Sequence, residues 1–305
     1  MKIKQLLLNV YHRTYNYKMG EVVTLHRLGE WDNDRLYSIE ELKVTIPSLQ
    51  RYVDTHRETH DFISLAELEE RLKKRSRFQK PFICITLDDG YKDNLTIGLP
   101  FFEKNNIPFG LFVTTNFIEK RPAFNWPFIV ERILKANDSL LIEGKTYRCA
   151  NIEEKNDVFQ QFRKMILDWD YQELEQHFYS AFQEYITDEV LENLTMTWDD
   201  VKKISQSKLC TIGSHCVSHC RNSVMKDEDV LREFSESKKI LEEQIGKEVR
   251  YIAYPFGCAT DVRTDVGKFA NQAGYTLGFT VGGIIRRNLK NQYMIPRVLL
   301  YNEQL

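Results

Sequence analysis

The sequence predicts an α/β fold built on a parallel sheet, either closed or open. Three observations predict it. Apolar strands alternate with helices along most of the 305 residues, as in parallel sheets. The strand at residues 82–87 has no polar face, which is expected when both sides of a sheet are buried. Acidic and histidine side chains directly follow two of the strands, at the edge where parallel α/β folds place their sites.

In the first part of the chain, strands are assigned to short apolar runs and helices to apolar residues at helical spacing. The helix at residues 64–74 begins with a capping box, Ser64-Leu65-Ala66-Glu67. The predicted strands here cover residues 21–26, 82–87 and 109–114, and the predicted helices cover 38–53, 64–74 and 99–105.

The last part of the chain returns to the same alternation. Its longest helix places Leu231, Phe234, Lys238 and Leu241 near one face. The predicted strands here cover residues 210–213, 251–254, 276–280 and 294–300, and the predicted helices cover 198–205 and 227–245.

Residues 121–196 interrupt this alternation of strands and helices. They are mostly helical in pattern, rich in aromatic residues, and contain one predicted hairpin, with strands at 140–142 and 146–148 around Glu143-Gly144-Lys145. Two interpretations stay open. The segment forms a cap that shapes a sugar-binding cleft, or its aromatics pack a small core of their own.

Composition excludes several classes of protein. With 42 basic and 44 acidic residues the chain has no positive field of the kind that nucleic-acid binding needs. No apolar run is long enough to span a bilayer. The apolar start at Leu6 is interrupted by Asn9, so no export signal is visible. A cytoplasmic location is therefore expected, unless the true start lies upstream.

Two short segments carry the chemistry. Asp88 and Asp89 stand where an apolar strand ends at Gly90, and His215 and His219 follow a second strand, four residues apart. Two imidazoles and one carboxylate make a metal site with open positions, and a spare carboxylate can act as a base. If the histidines lie on a helical turn, this spacing places both on one face. The combination indicates a metal-dependent hydrolase.

The six cysteines show no disulfide framework and are interpreted as reduced thiols. Cys216 and Cys220 each follow one of the two histidines, which makes zinc ligation by sulfur an alternative. Four ligands within six residues would crowd one ion. Ordinary buried thiols are the preferred interpretation.

These segments resemble the NodB-type polysaccharide deacetylases, carbohydrate esterase family 4. The similarity extends from about residue 21 to residue 300, interrupted by the segment at 121–196. It rests on matches to the family's Thr-Phe-Asp-Asp-Gly and His-Ser/Thr-x-x-His motifs and to the residues after the first motif, namely Thr86-Leu87-Asp88-Asp89-Gly90, Ser214-His215 through His219, Gly90-Tyr91-Lys92-Asp93-Asn94, Ile107-Pro108-Phe109 and Phe112-Val113-Thr114-Thr115.

The resemblance implies a distorted, incomplete (β/α) barrel in a single domain, residues 1–305, with residues 121–196 as a mainly helical insertion. It implies one divalent metal ion, with zinc as the expected identity, bound by Asp89, His215 and His219. Asp88 would then be the general base for hydrolysis of an N-acetylated carbohydrate.

The chain departs from the commoner family pattern at two places. No histidine follows His219, so the acid role is assigned to His26, whose surroundings resemble a circularly permuted branch that acts on exported poly-N-acetylglucosamine. His12 is the alternative. The segment Tyr251-Ile252-Ala253-Tyr254-Pro255-Phe256-Gly257 resembles the family's Arg-Pro-Pro-Tyr motif, but Ala253 stands where the arginine would be. The backbone N–H of Phe256 remains a candidate for the oxyanion hole, and Arg297 a candidate for orienting Asp88.

Three functions compete. The preferred one is a metal-dependent N-deacetylase acting on an N-acetylated sugar. The second is a catalytically weak, carbohydrate-binding relative, against which the complete set of two aspartates and two histidines argues. The third is a hydrolase of O-acetyl or N-formyl groups on the same scaffold, because one fold hosts many substrates.

Overall fold

In a computed structural model, the chain folds around a ring of parallel strands. The structure describes residues 18–32, 36–74, 80–186 and 193–301. The strands are β1 (Lys18–Leu25), β2 (Arg27–Leu28), β3 (Lys43–Val44), β4 (Asp61–Phe62), β5 (Phe82–Asp89), β6 (Phe109–Val113), β7 (Ser139–Ile142), β8 (Lys145–Arg148), β9 (Cys210–Ser214), β10 (Tyr251–Ala253), β11 (Leu277–Val281), β12 (Ile285–Arg286) and β13 (Ile295–Leu299).

The ring runs β1-β13-β11-β10-β9-β6-β5 and closes because β5 also pairs with β1. All pairings within it are parallel. β4 extends the sheet beside β5, and β12 lies antiparallel to β1. The predicted distorted, incomplete (β/α) barrel is confirmed, with seven strands in the described ring.

Helices surround the ring and also form most of the segment at 121–196. They are α1 (Tyr37–Glu40), α2 (Ile46–His56), α3 (Leu65–Lys74), α4 (Leu99–Asn105), α5 (Thr115–Ile118), α6 (Trp126–Ala136), α7 (Ile152–Asp168), α8 (Leu174–Phe182), α9 (Trp198–Ser205), α10 (Asp227–Ile245) and α11 (Val266–Gln272), with a π-helical turn at Asn94–Gly98 and 3-10 turns at Gln183–Tyr185 and Asn222–Val224. Within the described ranges, no helix is both long enough and apolar enough to cross a bilayer.

The predicted helix at 38–53 is wrong. The chain leaves α1 after Glu40 and forms β3, which pairs in parallel with β2. A new helix, α2, begins after Thr45, whose side chain accepts the N–H of Ser48. The threonine cap and Pro47 in the first turn start this helix afresh, which the continuous apolar periodicity concealed. The helix α11, at residues 266–272, was not predicted.

Three buried apolar clusters lie in the described part of the molecule: one on each face of the barrel strands and one in the segment at 121–196. Every residue of β5 is buried, and the barrel strands pack against the surrounding helices. A separate cluster unites α6, the hairpin β7–β8, α7 and α8, where aromatic side chains such as Phe162, Phe178 and Phe182 are fully buried. The predicted hairpin is confirmed, with antiparallel pairing from Ser139 to Arg148. Most aromatics of this segment therefore build its own core.

Candidate active site

The carboxyl ends of the barrel strands surround a cavity of about 490 Å³. Parallel strands bring their carboxyl ends to one edge, so residues that are distant in the chain meet there. All seven candidate site residues from the sequence line this cavity: His26, Asp88, Asp89, His215, His219, Phe256 and Arg297.

The two aspartates are the last residues of β5. Both are buried, at 2% and 3% exposure. Side chains normally alternate between the faces of a strand, but Asp89 has a left-handed backbone, with φ of 78°, and Gly90 follows with φ of 93°. This bend at the strand end lets both carboxylates line one cavity. Burial raises the pKa of Asp89 above its ordinary value.

His215 directly follows β9. Its backbone N–H donates to the carbonyl of Val113 on β6, at 2.9 Å, which continues the sheet pairing. Its ring Nδ1 lies 2.7 Å from the carbonyl oxygen of Ala253. A carbonyl only accepts hydrogen bonds, so Nδ1 carries the proton and Nε2 keeps its lone pair. Ala253 thus orients this imidazole through its backbone carbonyl.

His219 lies on a loop, and the expectation of a helical turn between the histidines is wrong. The chain from 215 to 220 is irregular, and both Cys216 and His219 have left-handed backbones, with φ of 65° and 57°. These bends bring the His219 ring to 5.0 Å from the His215 ring, between centroids. The rings of Phe117 and Phe256 pack beside it.

Asp89, His215 and His219 converge as a possible metal-binding group. Their ligand atoms all lie within 4.8 Å of one another. Asp89 Oδ1 is 3.5 Å from His215 Nε2 and 3.4 Å from His219 Nε2. Ligand atoms about 2.1 Å from a tetrahedral ion would be about 3.4 Å apart. The two separations from Asp89 Oδ1 therefore fit a zinc-sized ion.

The polar atoms of this group also fit a cation. Asp89 Oδ1 is buried and has no hydrogen-bond partner among the described residues, which is costly for a carboxylate oxygen unless a cation meets it. Burial lowers the pKa of His215 and of His219 to about 4. Both imidazoles are therefore neutral near pH 7, as metal ligands must be.

Asp88 forms a bidentate ion pair with Arg297, with both nitrogen–oxygen distances at 2.8 Å. Arg297 is 1% exposed and also donates to the hydroxyl oxygens of Thr24 and Thr86 inside the barrel. Burial alone would raise the pKa of Asp88, but the guanidinium outweighs it and holds that pKa well below its ordinary value. Asp88 is thus an ionised carboxylate, 4.0 Å from His215 Nε2.

His26, directly after β1, and Phe256, after β10, line the same cavity. β1 and β5 pair Leu25 with Leu87, so His26 and Asp88 follow at the same level of neighbouring strands. The backbone carbonyl of His26 accepts from the Asn94 side chain. Phe256 has a left-handed backbone, with φ of 61°, in the turn after β10. His12, the alternative acid, lies outside the described residues.

Thiol ligation of zinc is not supported. The six cysteines are free, and neither Cys216 nor Cys220 belongs to the group of possible ligands found in the described chain. Burial raises the pKa of both thiols.

Some residues at the site carried no recognisable signal. Glu233, in the middle of α10, accepts hydrogen bonds from the loop that carries His219. Gln160 and Arg163 on α7 line the cavity, although they lie in the segment that interrupts the motifs. Tyr91 also lines the cavity, and its position directly after the Asp-Asp-Gly motif was a signal that could have identified it.

The chain belongs to the polysaccharide deacetylase family, whose model matches residues 75–278. This confirms the resemblance seen in the two motifs. A comparison with curated protein sequences finds no significant match.

Solved structures share the fold at low sequence identity. The Streptococcus pyogenes deacetylase PplD, in complex with acetate, has a TM-score of 0.62 at 15% identity, with 94% of each chain covered. A de-N-acetylase from Aggregatibacter actinomycetemcomitans has 0.59 at 15% identity, covering 93% of this chain and 95% of that chain. IcaB from Ammonifex degensii has 0.59 at 17% identity, covering 95% and 94%.

Proposed function

We propose that this protein is a metal-dependent hydrolase that removes N-acetyl groups from an N-acetylated sugar. The observation that carries the proposal is the unpartnered Asp89 Oδ1, held between two imidazoles and beside the ionised Asp88. This arrangement combines a cation site with a base. Membership of the polysaccharide deacetylase family supports the reaction class.

Asp89, His215 and His219 would hold the metal, with zinc as the ion that the nitrogen and oxygen donors favour. When bound, zinc would polarise the acetamide carbonyl and lower the pKa of water. The protein supplies a buried carboxylate and two neutral imidazoles, one of them locked in the required tautomer by Ala253.

Asp88 would take the proton from the attacking water. Arg297 keeps it ionised and fixes both of its oxygens, so that the base is ready in the required orientation. The water oxygen bonds to the acetyl carbon, the carbon–nitrogen bond breaks, and acetate leaves. The proton taken by Asp88 is the one that water loses.

His26 would donate a proton to the departing amine nitrogen, as in the permuted branch of the family. Its support is its place in the cavity, level with Asp88 on the neighbouring strand. The backbone N–H of Phe256 would donate to the oxygen that becomes negative as the tetrahedral intermediate forms.

The substrate would enter beside the segment at 121–196, which we treat as an insertion into a single deacetylase domain. Trp126, Phe128 and Phe159 of this segment line the cavity together with Arg163. Apolar ring faces beside polar groups suit a sugar, whose two faces differ in the same way.

Acetate release from a panel of N-acetylglucosamine oligomers tests the proposal, using zinc-loaded protein and a chelator-treated control. Chelator-sensitive release is expected. Acetate release only from O-acetylated sugars, or formate release only from N-formylated sugars, would replace the substrate class. Saturable oligomer binding with no release from any of these would favour a carbohydrate-binding relative instead.

A further inference from the structure

The loop from His215 to His219 has backbone groups that must be satisfied, because it is largely buried. Its carbonyl oxygens find partners close by. The carbonyls of Cys216 and Val217 accept the N–H groups of Thr115 and Asn116, at 3.3 and 3.0 Å, at the start of α5. Backbone partners of this kind do not depend on which side chains are present.

The amides of the loop are satisfied differently. The consecutive N–H groups of Val217 and Ser218 both donate to Oε2 of Glu233, at 2.9 and 3.0 Å. Glu233 lies on α10 and is 3% exposed. One buried carboxylate therefore holds the two residues that precede His219.

This support matters because the loop is strained. Cys216 and His219 both have φ near 60° without being glycine, a conformation that persists only where the surroundings over-determine it. The two amides that Glu233 accepts, those of Val217 and Ser218, lie between these two residues in the sequence. Glu233 is thus placed to fix the direction of the His219 ring.

The other oxygen of Glu233 connects to the segment at 121–196. Oε1 accepts the hydroxyl of Tyr171, in the turn between α7 and α8. The adjacent Gln172 donates to Asp229, one helical turn before Glu233. The turn therefore contacts α10 through two acids that are one helical turn apart, Asp229 and Glu233. Of these two, Glu233 also bonds the loop that carries His219.

We propose that Glu233 is a positioning residue for His219, and that through Tyr171 it couples the segment that borders the cavity to the metal-binding group. The inference rests on the proposed metal site. Outer-shell partners of this kind orient ligands, and losing one costs about 10–100-fold in metal affinity.

Zinc affinity measured by competition with a chromogenic chelator, together with the visible spectrum of the cobalt-substituted protein, tests this inference. Glu233→Ala is expected to bind zinc about 10–100-fold more weakly and to shift the cobalt bands. Glu233→Gln should recover part of the loss, because its carbonyl oxygen can still accept both amides. Gln172→Ala is the matched control, expected to equal the wild type in both readouts.

Unchanged zinc affinity and an unchanged cobalt spectrum in folded Glu233→Ala would overturn the positioning role. If that variant fails to fold, Glu233→Gln decides: weaker zinc binding supports the role, and wild-type binding overturns it. Tyr171→Phe should weaken zinc binding less than Glu233→Ala, and an unaltered affinity would overturn the coupling. A wild-type protein that binds no zinc would instead remove the proposed function itself.

Discussion

The two histidines of the candidate metal group are held by different means. His215 continues a barrel strand, is 2% exposed, and has both its amide and its ring bonded to backbone carbonyls. The His219 side chain is 21% exposed and lies on a strained loop, steadied by the Glu233 side chain and by two phenylalanine rings.

The positions of the two histidines therefore depend on different parts of the structure. Groups built on the barrel strands are coupled to the stability of the whole fold, because the sheet must open before they move. Groups on the loop are coupled to a few side-chain contacts. Apart from the proposed ligands themselves, changes on the barrel side should therefore affect folding or chemistry, and changes on the loop side should affect metal affinity.

The largest effect is expected for Asp89→Asn, since Asp89 Oδ1 faces both histidines. Zinc affinity should fall by more than the roughly 10–100-fold typical of an outer-shell change, and turnover should disappear with it. Titration against a competing chelator measures the loss. His56→Ala, at the end of α2 and outside the cavity, is the control, and wild-type affinity in Asp89→Asn would refute Asp89 as a ligand.

Asp88→Asn should lower turnover without lowering zinc affinity. An amide cannot accept the proton of water, so turnover should drop about 10²–10⁴-fold, while zinc affinity stays at the wild-type level. Acetate release and chelator competition on the same preparation give both values. Retained turnover would remove the general-base assignment.

His26→Ala tests the proposed acid, which directly follows β1. Turnover should fall about 10²-fold with zinc affinity preserved, because His26 is proposed to protonate the amine and is not a ligand. The same two assays apply. Unchanged turnover would transfer the acid role to another residue, and His12→Ala would then be the next variant.

Arg297→Met tests how far the barrel side depends on its buried ion pair. Leaving Asp88 buried without its partner should lower the free energy of unfolding by about 3–5 kcal/mol. Denaturant unfolding measures it, and adding Asp88→Asn should recover part of the loss, since no buried charge is then stranded. A loss below about 1 kcal/mol, the level of an exposed pair, would contradict the account.

The smallest effect is expected in hydrogen exchange of the wild-type protein. Without metal, the amides of Val217 and Ser218 should exchange faster than that of His215, which is bonded within the sheet edge. Zinc should slow the two loop amides more than the His215 amide. Equal rates for all three in the metal-free protein would show that the loop is as firmly held as the barrel.

Much of the fold was predictable because local patterns encode its elements. The helix over Asp227–Ile245 was predicted with the observed bounds, and the barrel strands were located to within a few residues. The prediction of a helix at 38–53 was wrong because periodicity alone cannot show that β3 pairs with β2. The left-handed loop between the histidines was equally hidden, because no glycine marks its bends.

The sequence by itself determined which chemical groups this protein brings to its site. An apolar strand that ends in two aspartates, and another followed by paired histidines, must present them at one edge once the strands run parallel. The same motifs determined the family. These features are local, so they are readable from neighbouring residues.

Only the tertiary structure decided how those groups are held. Arg297 meets Asp88 across 209 positions of the chain, because closure of the ring turns both side chains into the barrel. Glu233 meets the His219 loop because α10 packs beside it. Such contacts depend on the register and closure of distant elements, which no local pattern records.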